Sequence, residues 1–143
     1  MAATMRVDVV SPERVVFSGE ATMVVTRTLG GGDIAFQANH APFLGALTEC
    51  HTKIYLENGT VQDLAVLGGF VEVSNNKVSI LSDVAELASE IDVDRARRAF
   101  TRADEAMRHE HDAEVEAALR RAHARMNTVG GVDGSSGGVR PSH

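Results

Sequence analysis

The chain has 143 residues, of which 43% are hydrophobic and 4% aromatic, and its formal net charge is −6. This length suits one domain, or one small domain with an appendage. Residues 1–90 hold 11 acids and 5 bases, and an acidic body argues against nucleic acid as a partner.

No apolar run approaches the roughly 18 residues that would span a membrane, and the N-terminus lacks the pattern of a signal or transit peptide. The single cysteine, Cys50, excludes an internal disulfide and is predicted to be a small buried residue.

The first 81 residues alternate apolar and polar side chains between turn signals, which is typical of short strands. The first predicted strand begins at Met5. An Asn58-Gly59 pair between two alternating runs is the strongest hairpin signal, and a second hairpin is predicted around Asn75-Asn76. The spacing predicts about ten strands in an antiparallel sandwich or flattened barrel, because no long helical segment is available to connect parallel strands.

The sequence changes character between Ser82 and Ile91, after which Ala, Arg and Glu dominate. Asp92 is predicted to be the N-cap of a first helix. Apolar residues then recur every three or four positions in two runs separated by the polar segment 109–112, so we predict an antiparallel helical hairpin with an alanine seam. Such a seam buries little apolar area and stabilises docking by roughly a few kcal/mol. The hairpin should therefore be able to detach from the sandwich.

These patterns predict three segments. A β-sandwich is expected over residues 1–86 and the helical hairpin over residues 87–127. From residue 128 to residue 143 the chain is rich in Gly and Ser without periodicity, and we expect a disordered tail there.

No catalytic constellation emerges from the sequence. The run Gly30–Gly32 lacks the Gly-Lys-Ser/Thr and the helix of a phosphate-binding P-loop. His109 and His111 are two residues apart and would point to different faces of a helix, so no metal site is predicted. A catalytic role for His40 would need a partner residue that the sequence does not nominate.

The hairpin arginines fall into two groups by spacing. One group follows an acid by four residues and is predicted to form exposed helical ion pairs: Asp94–Arg98, Asp104–Arg108 and Glu116–Arg120. The other group lacks such an acid: Arg95, Arg97, Arg102, Arg121 and Arg125. If the unpaired guanidinium groups converge when the hairpin folds, they would suit phosphate oxygens. The alternative is that they are ordinary exposed arginines or contact an acidic protein surface.

Four blocks, in this order and spacing across residues 5–126, resemble the bacterial type of the epsilon subunit family of F-type ATP synthases. They are Phe17-Ser-Gly-Glu-Ala21, Gly32-Asp-Ile34 leading to Asn39-His-Ala-Pro42, Gly68-Gly-Phe-Val-Glu-Val73 with Val78-Ser-Ile-Leu81, and Ile91-Asp-Val-Asp-Arg-Ala96. The resemblance implies an N-terminal ten-stranded β-sandwich and a C-terminal two-helix hairpin, in agreement with the periodicity.

The resemblance also implies a function that no spacing could show. The family is non-catalytic and sits in the central stalk, where it holds the gamma subunit and the membrane ring of c subunits and helps couple proton flow to ATP synthesis. Its helical arm can restrain ATP hydrolysis by reaching the alpha and beta catalytic subunits. The implied location is the cytoplasmic face of the cell inner membrane, peripheral and only through the complex. The competing hypotheses are a free-standing ATP-sensing regulatory module and, more remotely, an enzyme that uses His40 with a nearby acid.

The resemblance also implies roles for individual residues of this chain. Asp33 is implied to lie toward the c-ring and His40 toward gamma. In some bacterial members the folded hairpin binds ATP, as a regulatory ligand rather than a required cofactor. The residues of this chain that match that pattern are Glu86, Ile91, Asp92, Arg95, Ala96 and Arg102, with Arg121 and Arg125 as the second-helix pair.

Overall fold

A computed structural model describes residues 3–132 of the protein, which form a sheet followed by two helices. The strands are β1 (Met5–Ser11), β2 (Arg14–Ala21), β3 (Met23–Thr28), β4 (Gly32–Gln37), β5 (Phe43–Tyr55), β6 (Val61–Ser74), β7 (Lys77–Leu81) and β8 (Ala85–Leu87). A short 3-10 turn (Ala88–Glu90) leads to α1 (Val93–Met107) and α2 (Ala113–Val132). The predicted order of sandwich and helical hairpin is confirmed.

The described residues contain eight strands rather than about ten. The sequence pattern predicts separate strands over residues 61–67 and 69–73, but β6 runs through both Gly68 and Gly69 and is 14 residues long. The two glycines adopt φ angles of 91° and 113°, which other residues rarely reach. They therefore bend β6 without ending it.

The strands follow the order β2-β1-β7-β6-β5-β3-β4, with β8 paired to β6. The C-terminal part of β6 pairs with β7 and its N-terminal part with β8, so the long β5–β6 ribbon belongs to both layers of the sandwich. The pairing of β1 with β7 is parallel, whereas the other pairs are antiparallel. Side chains from both layers share one core, which includes Val7, Phe36, Ile54, Leu64 and Ile80.

Both predicted hairpins form. Asn58 and Gly59 lie in the turn between β5 and β6, where Tyr55 pairs with Val61. In the β6–β7 turn, Asn75 and Asn76 have φ angles of 53° and 59°. Two consecutive positive φ angles are the signature of a type I′ turn, which asparagine tolerates better than most residues. Cys50 is buried and free, as predicted.

The helical hairpin has the predicted cap and the predicted alanine seam. The Asp92 carboxylate accepts a hydrogen bond of 3.0 Å from the backbone amide of Arg95 and so caps α1. The helices bury four alanines: Ala96, Ala103, Ala122 and Ala124. Helix α2 packs on β5 and β6, while α1 packs mainly on α2.

Helix α2 continues to Val132, five residues beyond the boundary expected at residue 127. Thr128 and Val129 are buried, and the Thr128 hydroxyl donates to the carbonyl of Ala124 at 2.7 Å. Packing against the sheet therefore overrides the weak helix propensity of this segment. At the other boundary, β8 includes Leu87, so the sandwich ends one residue later than predicted. The rest of the predicted tail, residues 133–143, lies outside the described residues.

Candidate functional site

The helical arm, defined here as α1 and α2, rests on the sandwich through a small apolar seat. Ala65 and Leu67 of β6 contribute the sheet side of this seat. The arm and its linker contribute the rest of the cluster: Ile91, Ala96, Met126 and Val129. The Thr128 hydroxyl also lies 3.4 Å from the carbonyl oxygen of Leu64, which brings the last turns of α2 close to the backbone of β6.

Two ion pairs tie α2 to the sandwich. The guanidinium of Arg125 binds both carboxylate oxygens of Glu86 on β8, with N–O distances of 2.8 and 3.1 Å. These side chains are only 28% and 29% exposed, so water screens their attraction less than it does for a fully exposed pair. Arg120 donates to Glu49 on β5 at 3.1 Å. The bidentate geometry makes the Arg125–Glu86 pair the more directional of the two contacts.

The carboxylate of Glu49 is held in its charged form. Burial by itself would raise the pKa of Glu49. Hydrogen bonds from its own backbone amide, Arg120 and Thr48 outweigh burial and lower this pKa below its ordinary value. Docking of Arg120 is therefore coupled to the charge on Glu49.

A third ion pair fixes the linker that leads into the arm. Arg14, at the start of β2, binds both oxygens of Glu90 at 2.8 and 2.5 Å. The hydrogen bond from Arg14 lowers the pKa of Glu90. Glu90 also accepts a bond of 3.1 Å from the backbone amide of Leu87. The linker is thus clamped to the edge of the sheet just before α1 begins.

The predicted nucleotide residues occupy several different environments. Glu86 and Arg125 are brought together, but as partners of each other. Ile91 and Ala96 are buried in the apolar seat, whereas Asp92 caps α1.

The remaining three predicted nucleotide residues are arginines. Arg121 pairs with Glu114 at 3.2 Å. Arg95 and Arg102 are exposed and have no ion pair within residues 3–132. The guanidinium groups that remain available in the described structure therefore lie on α1.

Of the three predicted helical ion pairs, one forms as expected, between Asp104 and Arg108 at 3.4 Å. Asp94 pairs with Arg97 at 3.1 Å instead of with Arg98, because a residue three positions away is also within reach on a helix. Arg120 pairs with Glu49 rather than with its helical neighbour, since the sheet offers a partly buried carboxylate. Spacing within the helix could not reveal this partner.

The two residues implied to contact other subunits lie apart, near opposite ends of β4. Asp33 pairs with Arg27 at 2.8 Å across the β3–β4 turn, whose tip exposes 69% of Leu29. His40 packs edge-on against Phe36, with ring centroids 4.9 Å apart. Its Nδ1 lies 2.7 Å from the carbonyl of Ala41, and no carboxylate of the described residues bonds to it. The arrangement gives no support to acid–base catalysis at His40.

Residues 3–132 contain no group of three or more His, Cys, Asp or Glu side chains that could hold a metal ion. None of the described helices is both long enough and apolar enough to cross a membrane.

Sequence reasoning missed an exposed apolar row on the outer face of the layer formed by β2, β1, β7, β6 and β5. The register places its members side by side: Val15, Val10, Leu81, Phe70 and Ala46. Leu44, on the neighbouring row of β5, is 72% exposed, and Val15, Phe70 and Leu81 are each more than half exposed. At about 4.8 Å between strands, five strands give a row roughly 20 Å long. Alternation marks Leu81 as an outward residue between the buried Ile80 and Ser82, but only the register between the strands brings the row together.

Comparisons with known proteins agree with this architecture. Residues 4–88 match the family described as ATP synthase, Delta/Epsilon chain, beta-sandwich domain. Residues 89–130 match its long alpha-helix domain. The ATP synthase epsilon chain of Streptomyces avermitilis is 43% identical over 129 residues, which cover 90% of this chain and 98% of that relative. That of Desulfitobacterium hafniense is 44% identical over 132 residues, with coverage of 90% and 98%.

A chain from the Euglena gracilis mitochondrial ATP synthase (OSCP/F1/c-ring) superposes with a TM-score of 0.75 at 19% identity, covering 87% of this chain and 80% of its own length. At that identity the superposition supports the fold alone. The sequence matches span both the sandwich and the arm, and they confirm the resemblance found in the four sequence blocks. The protein therefore belongs to the ATP synthase delta/epsilon chain family and, with its curated relatives, to the epsilon chains, which are accessory chains of the synthase rather than enzymes by themselves.

Proposed function

We propose that the protein is a central-stalk chain of a proton-translocating ATP synthase, where it joins the gamma subunit to the c-ring and couples rotation to ATP synthesis. Family membership supports this, as do the assemblies in which chains of similar fold occur, one of them described as a central stalk with its c-ring. The proposed location is peripheral, on the cytoplasmic face of the cell inner membrane. The alpha and beta subunits become partners only when the arm extends.

The exposed apolar row is the observation that carries this proposal. Monomeric proteins rarely leave a large contiguous apolar patch in water, and such patches mark docking surfaces. The arm covers the outer face of β5 and β6 near Ala65 and leaves the row open. We assign the row to the gamma subunit and the β3–β4 tip with Asp33 to the c-ring. The tip adjoins the β5 end of the row, where the amide of Leu29 donates to the carbonyl of Ala46 at 2.9 Å.

The test is binding of the full-length protein to the purified gamma chain of the same organism. Phe70→Asp and Leu81→Asp should each weaken binding about 100-fold or more, because each places a charge in the centre of the interface. Val61→Asp is the control, an exposed apolar residue at the start of β6 and outside the row, and should bind gamma as the natural protein does. Unchanged binding by Phe70→Asp would refute the assignment.

A second function, nucleotide sensing by the arm, is favoured by one observation. Arg95 and Arg102 are exposed on α1 without ion pairs in residues 3–132, whereas Arg120, Arg121 and Arg125 are engaged. ATP bound to these α1 arginines would favour the docked arm, and the undocked arm would restrain hydrolysis. At a ligand concentration of 100 times Kd the bias is about 2.7 kcal/mol, enough to reverse a modest preference.

Calorimetric titration of ATP into Arg95→Ala and Arg108→Ala tests this second function. Both variants remove one exposed arginine, Arg95 from the first turn of α1 and Arg108 from its C-cap, but Arg108 already pairs with Asp104. Saturable binding that is lost only in Arg95→Ala supports the sensing arm. Absence of binding to the natural protein would refute it and leave the coupling role intact. If ATP binds without changing hydrolysis by the assembled synthase, the free-standing sensing module would be the better description.

A further inference from the structure

Beside the apolar row, the same sheet face carries two polar rows. The next row along the strands consists of Ser18, Asp8, Ser79, Glu72 and Leu44. The one beyond it contains Glu20, Arg6 and Lys77. A partner seated on the apolar row would meet these side chains along one edge of the interface.

Most charges of these two rows already have partners. Asp8 accepts hydrogen bonds from Ser18 at 2.6 Å, from Arg6 at 3.3 Å and from Lys77 at 3.3 Å. The Ser18 bond, ahead of the two cations, lowers the pKa of Asp8. Glu20 accepts a bond of 2.9 Å from the Thr4 hydroxyl. Two acids and two bases thus balance one another.

Glu72 is different. It is exposed, and among the charged residues of these rows it alone has neither an ion pair nor a hydrogen bond from the described residues. It stands directly across from Leu44, and Phe70 lies two residues earlier on the same face of β6. A single unmatched carboxylate therefore lies at the rim of the patch, between two of its most exposed apolar side chains.

We propose that Glu72 selects the partner of this face, namely an apolar protein segment that carries a lysine or arginine at its edge. This rests on the proposed docking role of the apolar row. Charges at the rim of an interface steer encounter and reject partners with the same sign. A second copy of this chain would bring the same acid on an acidic body, so a different, basic-edged chain fits better.

The experiment measures association of the purified gamma chain with the full-length protein between about 50 and 500 mM salt, a range over which the Debye length shrinks several-fold. The variants are Glu72→Gln and Glu72→Lys. The matched controls are Glu57→Gln and Glu57→Lys, which make the same charge changes at an exposed acid in the β5–β6 turn.

Glu72→Gln should raise Kd about threefold to fivefold at low salt, mainly by slowing association, and should flatten the salt dependence. Glu72→Lys should raise Kd about tenfold or more, because like charges then meet at the rim. The Glu57 variants should match the natural protein. Natural affinity and salt dependence in Glu72→Gln would overturn the inference, as would equal effects at Glu57.

Failure of the two proposals can be told apart. If Phe70→Asp abolishes gamma binding while Glu72→Gln changes nothing, the face docks gamma but Glu72 does not select it. If Phe70→Asp leaves gamma binding intact, the docking role itself is wrong. Self-association of the natural protein that Phe70→Asp abolishes, without binding to gamma, would replace both proposals with a contact between copies of this chain.

Discussion

The sandwich and the arm are held in place by different kinds of contact. The sandwich buries large branched and aromatic side chains completely, among them Phe36, Ile54 and Ile80. The arm and its linker meet the sheet through a smaller cluster, in which the buried branched side chains on the arm side are Ile91 and Val129, and through two arginine pairs. Fully burying a large apolar side chain contributes about 1.5–3 kcal/mol, whereas an alanine contributes much less.

This difference separates folding from docking. The main core of the sandwich contains no residue of the arm, while docking of the arm adds a modest free energy that depends on charge. Ion pairs respond to salt, pH and competing anions, and apolar cores respond far less. We therefore expect solution conditions that leave the sandwich folded to shift the position of the arm, as the proposed sensing role requires.

The largest effect is expected from a substitution that removes a buried side chain from the sandwich core. Phe36→Ala should lower the free energy of unfolding by about 3–5 kcal/mol, because it leaves a cavity in a fully packed interior. The measurement is urea unfolding followed by circular dichroism, with the midpoint shifting and the slope unchanged. Phe70→Ala, which removes an exposed ring, should stay within about 0.5 kcal/mol of the natural protein. Equal losses for both variants would contradict the burial pattern.

A charge in the apolar seat should release the arm and spare the sandwich. Val129→Asp places a carboxylate at a buried position of α2, which costs about 2 kcal/mol or more unless the helix undocks. Amide hydrogen exchange should then accelerate across residues 113–130 and stay slow in β6. Asn127→Asp adds the same charge at an exposed position of the same helix and should leave exchange unchanged. Simultaneous loss of protection in β6 would show that the two regions fold as one unit.

Removing the bidentate pair should loosen the arm by a smaller amount. Arg125→Met keeps the length of the side chain but leaves Glu86 without its partner, so docking should weaken by about 1–3 kcal/mol. Arg108→Met breaks an exposed helical pair that does not reach the sheet and should have an effect under about 0.5 kcal/mol. Hydrogen exchange in α2 reports both effects. Equal exchange rates in the two variants would mean that the Glu86 contact does not hold the arm.

Sequence patterns predicted the elements well and their contacts poorly. Alternation and the Asn58-Gly59 turn are local signals, and so is the Asp92 cap, which is why all three appear as predicted. By contrast, Gly68 indicated a strand end, but pairing with β5 continues on both sides of it.

The long-range contacts of the arm were beyond the reach of spacing arguments. Arg120 and Arg125 find acids 71 and 39 residues away, whereas helical spacing considers only neighbours within one turn. The helical state of Thr128 and Val129 depends on burial against the sheet, which composition does not reveal. The apolar row likewise required the register between five strands, since each outward residue is unremarkable within its own strand.

The smallest expected effect is a weakening of arm docking at acid pH. Against the effect of burial, the backbone amide of Glu49 and the hydrogen bond from Arg120 both lower the pKa of Glu49. Through the Arg120 contact, the charged carboxylate stabilises the docked arm above the ordinary value of 4.5. That stabilisation, at most about 1 kcal/mol, should be lost as the pH falls through the lowered pKa. The measurement is an NMR pH titration that follows the amide resonances of α2. Glu49→Gln should weaken docking slightly at neutral pH and remove this part of the titration, whereas Glu57→Gln should retain it. A titration of α2 that persists unchanged in Glu49→Gln would assign the acid sensitivity to another carboxylate and leave Arg120 as a contact without electrostatic control.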